Sequence, residues 1–390
     1  MIMNNTFPWP HYSSKEINIV KSVIQSGKVN YLFGEQGRIF ESNFSKFSNT
    51  KYSLALANGT LALDLCLRSI GLQEGDEVLV TSRSFVASAS CISLLGGIPV
   101  FCDVDLNSQN ISIEEIKKKF SRKTKAIICV HFAGFPCDMN ELTEFASKKG
   151  IFIVEDCAQA HGAKIGNKSV GSFGDISAWS FCNDKIMTLM GEGGMVTTNS
   201  SNLHKFIASF NNHGKNLKKY FDKKPHTKFP YLHDGIGSNY RLTEMQSAVG
   251  VFQLSMMEKW NEQRSKNALH LEKAVRDLEI VSLPMLPENF KHGWYKYYMT
   301  LNPKKIKKSL KRIDILNKLR AENVPAFFGG CGEIYNEKSF KKFKPSPLLH
   351  NAKFLENYSL MFEVHPTITT KEIKRRSLVI RKILKDSCLS

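Results

Sequence analysis

The chain has 390 residues, 42% of them hydrophobic, and a formal net charge of +18. That length holds one large and one small domain around a substantial core. No apolar run approaches the ~18 residues of a membrane-spanning helix, and the start Met1-Ile-Met-Asn-Asn-Thr-Phe-Pro lacks the basic and apolar regions of a secretory signal. A cytoplasmic protein with no membrane partner is therefore expected. The nine cysteines show no C-x-x-C pair and no zinc spacing, which points to reduced thiols and no metal. The basic residues fall in separate clusters (117–119, 304–311, 374–376) without an aromatic platform, which argues against a nucleic-acid partner but leaves room for an anionic substrate.

In chain order, residues 1–35 read as an N-terminal arm. It holds a helix opened by a capping-box-like Ser13-x-x-Glu16, with apolar spacing at Ile17, Val20, Val23 and Ile24. A loop from Ser26 to Gly34 follows. Phe40 to Phe47 reads as a helix and Tyr52 to Ala57 as the first strand of a large domain, expected over 36–260. The turn Asn58-Gly59-Thr60 then leads into an apolar helix, Leu61 to Ile70. Free backbone N–H groups and the positive end of a helix dipole make such a turn a phosphate site. Further buried strands are read at Glu77–Thr81, Pro99–Val104 and Ala126–His131. Helices separate them: one beginning at Ser84–Ala89, then Ile113–Phe120 and Met139–Lys149. Strand–helix alternation of this kind means an α/β fold with a mostly parallel sheet flanked by helices.

The stretch from Ile151 to Thr198 carries the chemistry. Ile151-Phe152-Ile153-Val154 is a short apolar run of the kind buried on both faces of a parallel sheet. It ends on Glu155-Asp156, and a carboxylate at a strand's carboxyl end points into the crevice where α/β sheets bind ligands. A glycine-punctuated connection leads to a second strand, Ile176–Phe181, then Lys185, then Gly191-Glu192-Gly193-Gly194 and a third strand, Met195–Thr198. An acid at one strand end, a hydroxyl (Ser180) at the next and a lysine just after it are what pyridoxal 5'-phosphate (PLP) needs. The lysine forms a Schiff base, the acid keeps the pyridine nitrogen protonated, and the hydroxyl binds phosphate.

Four segments, Glu155-Asp-Cys-Ala-Gln-Ala-His-Gly162, Gly174-Asp-Ile-Ser-Ala-Trp-Ser-Phe181, Lys185 and Gly191-Glu-Gly-Gly194, resemble the signature of the DegT/DnrJ/StrS family. These are PLP-dependent sugar aminotransferases of fold type I, and the resemblance runs from about Phe7 to about Ala268. It implies that Lys185 and Asp156 are catalytic, and that Gly59 and Thr60 hold the cofactor phosphate. Phe85 matches the position whose ring stacks on the pyridine, with an ordinary core phenylalanine as the alternative. Gln159 and Ser180 complete the cofactor contacts. The loop at Tyr31 lies near the active site in such proteins, so Tyr31 is a candidate substrate contact, with simple packing as the alternative. Ser238-Asn239-Tyr240-Arg241 also matches, and there the asparagine crosses a dimer interface to the partner's cofactor. Asn239 thus implies a homodimer with composite sites.

Residues 211–237, polar and basic around Lys223-Lys224-Pro225, read as a long surface loop. A helix N-terminus with Thr243 near the cap follows, and a long helix from Leu254 to about Leu278 links to a small α+β domain, expected over 261–390. Within it lie a strand at Tyr295–Thr300, a helix at Ile313–Arg320, a loop at Phe328–Gly332, an element at Leu355–Phe362 and a terminal helix near Leu378–Leu384. Around Lys185 and at Phe327–Tyr335 the chain departs from the commoner family pattern, which leaves the acceptor open. The expectation is transfer of an amino group from L-glutamate to a nucleotide-linked keto sugar, for surface polysaccharide synthesis. A small phosphorylated ketone such as dihydroxyacetone phosphate is the alternative. Related sugar dehydratases carry histidine in place of the lysine, so Lys185 argues against that chemistry. A non-catalytic sensor on the same fold is a further rival, weakened by the complete set of catalytic residue types.

Overall fold

The structure is a computed structural model and describes residues 7–222, 229 and 231–389. The start Met1–Thr6 and the basic Lys223-Lys224-Pro225 lie outside the described residues. Seven strands form the main sheet: β1 (Tyr52–Leu56), β2 (Glu77–Thr81), β3 (Ile98–Cys102), β4 (Thr124–Val130), β5 (Phe152–Asp156), β6 (Ile176–Ser180) and β7 (Gly194–Thr198). Their order is β1-β7-β6-β5-β4-β2-β3. Pairing is parallel from β6 through β3, and β7 alone is reversed, antiparallel to both β6 and β1. The α/β fold with a mostly parallel sheet is therefore as expected.

The strands are buried because both faces are covered by helices, as their unbroken apolar runs require. Val78, Val80, Ile127, Ile128 and Val154 are fully enclosed, each stabilising the fold by about 1.5–3 kcal/mol. The parallel strands share one carboxyl edge, which carries Thr81, Val130, Asp156 and Ser180. Reversal of β7 brings its first residue, Gly194, to that edge, paired with both Leu56 and Ser180. A side chain there would meet the carbonyl oxygen of Asn58 at 2.3 Å, so only glycine lets the turn after β1 lie against β7.

A second core surrounds four short strands, β8 (Val281–Ser282), β9 (Tyr297–Leu301), β10 (Ala326–Phe327) and β11 (Ser359–Phe362), ordered β8-β9-β11-β10. The two cores share one 32-residue helix, Glu244–Val275. It begins at the expected Thr243 cap, where Thr243 and Gln246 cap it reciprocally, and runs unbroken into the stretch expected as a helix from Leu254. Leu355–Phe362 divides into the end of a helix, His350–Tyr358, and β11. The terminal helix runs Thr370–Ser387, further than its apolar residues suggest. Within 211–237 a single helical turn, Leu217–Tyr220, interrupts the expected loop. Ile334, Tyr335, Phe340, Leu349, Ala352 and Leu355 pack into the core of the large sheet, not the second core. The chain thus returns to the large sheet before its last strand and helix.

Candidate active site

The carboxyl edge of the sheet brings together Asp156, Ser180, Lys185 and the turn Asn58-Gly59-Thr60. Asp156 ends β5 and is 4% exposed. Its Oδ2 accepts from Ser88 Oγ at 2.8 Å and its Oδ1 from the Ala158 N–H at 3.1 Å. Burial raises the carboxyl above its usual value, against those hydrogen bonds and the charge of Lys185. A carboxylate placed in this way gains from a nearby cation.

The adjacent acid does something else. Glu155 is fully buried, and its Oε1 accepts from the N–H groups of Phe173 and Gly174 at 2.8 and 2.6 Å. Its Oε2 takes Gly171 N–H at 2.7 Å and His131 Nε2 at 2.9 Å. Burial acts to raise this carboxyl, but the His131 hydrogen bond and charge and the glycine amides hold it below the usual range. Glu155 therefore ties the glycine-rich connection to β5 and fixes the strand end that presents Asp156. His131, Glu155 and Cys157 have the atoms for a metal site. The four donors on Glu155 already use its lone pairs, so the cluster is a structural hydrogen-bond network.

Asn58 caps the helix Gly59–Ser69 through its side chain, which accepts from Leu61 N–H. Gly59 is in tight contact with Ser180: a Cβ there would lie 2.6 Å from Ser180 Cβ. The helix N-terminus and the Ser180 hydroxyl are thus side by side, with Thr60 exposed above them. Gln159 is anchored by the Ala133 N–H, which donates to its Oε1 at 2.7 Å. Phe85 is 66% exposed, although Ser84 and Ala87 around it are buried. An ordinary core phenylalanine is excluded, and the ring face is available to a flat ligand.

Lys185 is reached from both ends of the chain. Trp9 Nε1 donates to its carbonyl at 2.7 Å. Tyr12 Oη meets Thr188 Oγ1 and accepts from Met190 N–H, so the arm lies along the lysine loop. The Lys185 ammonium stands 3.5 Å from Tyr295 Oη and 3.8 Å from Asp184 Oδ1, and Tyr295 Oη donates to Asp184. Ser88, Trp9, Tyr12, Asp184 and Tyr295 carried no motif, and only the fold assembles them.

Two expected residues stand apart from this group within the single chain. Tyr31 belongs to the arm and packs on the following helix, Gln36–Phe47, its hydroxyl donating to the Glu41 carboxylate at 2.9 Å. Asn239 is exposed, its side chain accepting from Arg241 N–H. Its neighbour Tyr240 accepts through its carbonyl from Ala57 N–H at 2.8 Å, which sets Asn239 beside the turn after β1. These residues fit PLP: a recessed acid without a cation of its own, an exposed aromatic ring, a helix N-terminus packed on a hydroxyl, and a lysine with its amine among them.

The sequence profile described as the DegT/DnrJ/EryC1/StrS aminotransferase family matches residues 10–382. GDP-perosamine synthase of Escherichia coli O157:H7 is 32% identical over 361 residues, 92% of this chain and 88% of that protein. UDP-N-acetyl-3-dehydro-alpha-D-glucosamine 3-aminotransferase of Acidithiobacillus ferrooxidans is 31% identical over 354 residues, 91% of this chain and 90% of that one. Among solved structures, an aminotransferase from Psychrobacter cryohalolentis superimposes with a TM-score of 0.95 at 40% identity, covering 97% of this chain and 99% of the other. The chain belongs to the DegT/DnrJ/EryC1/StrS aminotransferase family and is a PLP-dependent transaminase of fold type I.

Proposed function

We propose that the protein moves an amino group from L-glutamate to the keto group of a nucleotide-linked keto sugar, for surface polysaccharide synthesis. It acts in the cytoplasm as a homodimer with composite sites. Among the described residues, no helix is long and apolar enough to cross a membrane. The observation that carries the acceptor class is coverage: relatives named for nucleotide-sugar amination align over about nine-tenths of both chains, and this chain carries the lysine, Lys185, that amination needs. Residues 36–260 carry the cofactor, 1–35 cover the lysine loop, and 261–390 complete the site with Tyr295.

When bound, PLP supplies an electrophilic aldehyde and a protonated ring that takes up electrons. The chain's own groups do the rest. Lys185 would supply the amine that holds the group and, when neutral, a base that moves a proton at the donor carbon. Asp156, steadied by Ser88 and Ala158 N–H, would supply the counter-charge for its protonated nitrogen. Gly59, Thr60 and Ser180, with Asn239 of the partner subunit, would hold its phosphate. Phe85 and Gln159 would help to bind and orient it. Tyr31, engaged with Glu41, belongs to the acceptor side only through the arm it supports.

The test has two stages. Borohydride reduction followed by peptide mapping should place the cofactor on Lys185; a label on another lysine sinks the site. The enzyme is then converted to its amine-loaded form with glutamate and offered keto acceptors. Return of the original absorbance with a nucleotide-linked keto sugar supports the reading. Return only with dihydroxyacetone phosphate or another small phosphorylated ketone replaces the acceptor.

A further inference from the structure

Resting on that reading of Lys185, we infer that Tyr295 and Asp184 form a proton relay connecting the Lys185 amine to solvent. Two hydrogen bonds and two exposures carry it. The lysine ammonium points at Tyr295 Oη from 3.5 Å, and the phenol points onward to an Asp184 carboxylate oxygen. Among the described residues, Tyr295 Oη hydrogen-bonds only these two. The donors run in one direction, from N–H to O–H to carboxylate. The Lys185 side chain is 15% exposed and that of Asp184 54% exposed, so the relay begins inside and ends at water.

A lysine must lose a proton before it can bond an aldehyde, and one enclosed in this way has little direct contact with a solvent base. In the relay, the ammonium gives a proton to Tyr295 Oη as the phenolic hydrogen passes to Asp184. Nζ keeps its lone pair, Tyr295 remains a phenol, and the resulting carboxylic acid releases the proton to water. No net charge is created in the interior. Burial acts to raise the Asp184 carboxyl, and the Lys185 charge and the Tyr295 hydrogen bond hold it below its usual value. The carboxylate is therefore ionised and ready to receive. The other charged groups around the relay are Lys296, Arg264 and Glu363, and Asp156 faces Lys185 from β5. None of them offers a route from Nζ to the surface through a hydrogen-bonded hydroxyl. Tyr295 and Asp184 are positioning residues for Lys185, supplied by the stretch just before β9, which packs against the large sheet's Trp179 cluster, and by the lysine loop itself.

The test is the rate at which full-length, cofactor-free protein bonds added PLP, followed by absorbance in dilute, non-nucleophilic buffer near neutral pH. Tyr295→Phe keeps the ring and its packing but cuts the relay; Asp184→Asn removes its outlet. Each should slow covalent attachment about 100-fold or more, the lower range for a lost proton-transfer group. A small external base such as imidazole should restore the rate of both variants in proportion to its concentration, while leaving wild type unchanged. Attachment at the wild-type rate in both variants overturns the relay. So does slow attachment that no external base improves, because the residues are then only structural. Wild-type labelling of Lys185 by borohydride is a separate control: its failure sinks the site assignment, whereas its success with unresponsive variants sinks the relay alone.

Discussion

Replacing Glu155 with glutamine keeps the shape and removes one acceptor oxygen, so its cost can be worked from geometry. The carboxylate receives two donors on each oxygen: Phe173 and Gly174 N–H on one, Gly171 N–H and His131 on the other. Whichever way the new amide is turned, its NH2 faces two donors. His131 cannot adapt by moving its proton, because its Nδ1 already accepts from Cys137 N–H at 3.0 Å. Two buried donors are left without an acceptor at about 1–3 kcal/mol each, giving a loss of about 2–6 kcal/mol. For a 390-residue chain, an unfolding entropy of about 2.1 cal/mol/K per residue converts this into a Tm drop of about 2–7 °C. Chemical denaturation and calorimetry of Glu155→Gln against wild type measure it. The pH dependence has a fixed sign. A carboxyl held below its usual 4.5 in the folded state stabilises fully above that value and loses its contribution as pH falls through the folded value. The gap between the proteins should therefore narrow below about pH 4.5. Equal stability at neutral pH, or a gap that widens in acid, would refute the argument.

The neighbouring acid should behave in the opposite way. Asp156→Asn should leave the cofactor-free fold as stable as wild type or slightly more so, since burial disfavours its charge, yet cost about 100-fold or more in turnover. Glutamate half-reaction kinetics beside a melting curve check both halves. Gly59→Ala should weaken PLP binding about tenfold or more, because the new Cβ meets Ser180 at 2.6 Å and must displace the N–H groups that hold phosphate; titration of cofactor-free protein reads it. Lys185→Ala and Asn239→Asp chains should each be nearly inactive. In exchanged heterodimers one site joins the two intact residues and the other carries both defects, so activity should return to at most half of wild type. No recovery despite demonstrated exchange would assign Asn239 to its own subunit's turn, beside which it lies through Tyr240.

The parts of the site contributed by strand ends were legible, because a buried strand has a strong signal and its last residue has a fixed direction. Asp156, Ser180 and the Gly59 turn were found in this way. Glu155 and Asp156 look alike in sequence, and only the folded surroundings separate an acid saturated by four donors from the one proposed to face the cofactor. Ser88, Trp9 and Tyr295 went unread because they contact Asp156 or Lys185 across 68, 176 and 110 residues, and no local pattern records such a meeting. The helix N-terminus at Thr243 was legible from its cap, but its unbroken run into the helix read from Leu254 was not: the turns between include buried small residues, Ser247, Ala248 and Gly250, which give little apolar periodicity. Residues 334–355 were expected in the small domain, and nothing in their composition tells which of two apolar cores they enter.

The clasp of Trp9 and Tyr295 on Lys185 bears on synthesis. The lysine leaves the ribosome in mid-chain, but the phenol that meets its amine is made 110 residues later. Loop closures of that span form late and add to the entropic cost of folding. A nascent or C-terminally truncated chain can pair β1 to β7 and still present a lysine with no phenol facing it. On the proposed relay, such a chain bonds the cofactor more slowly than a finished one, so colour develops fastest on chains whose residue 295 is already in place.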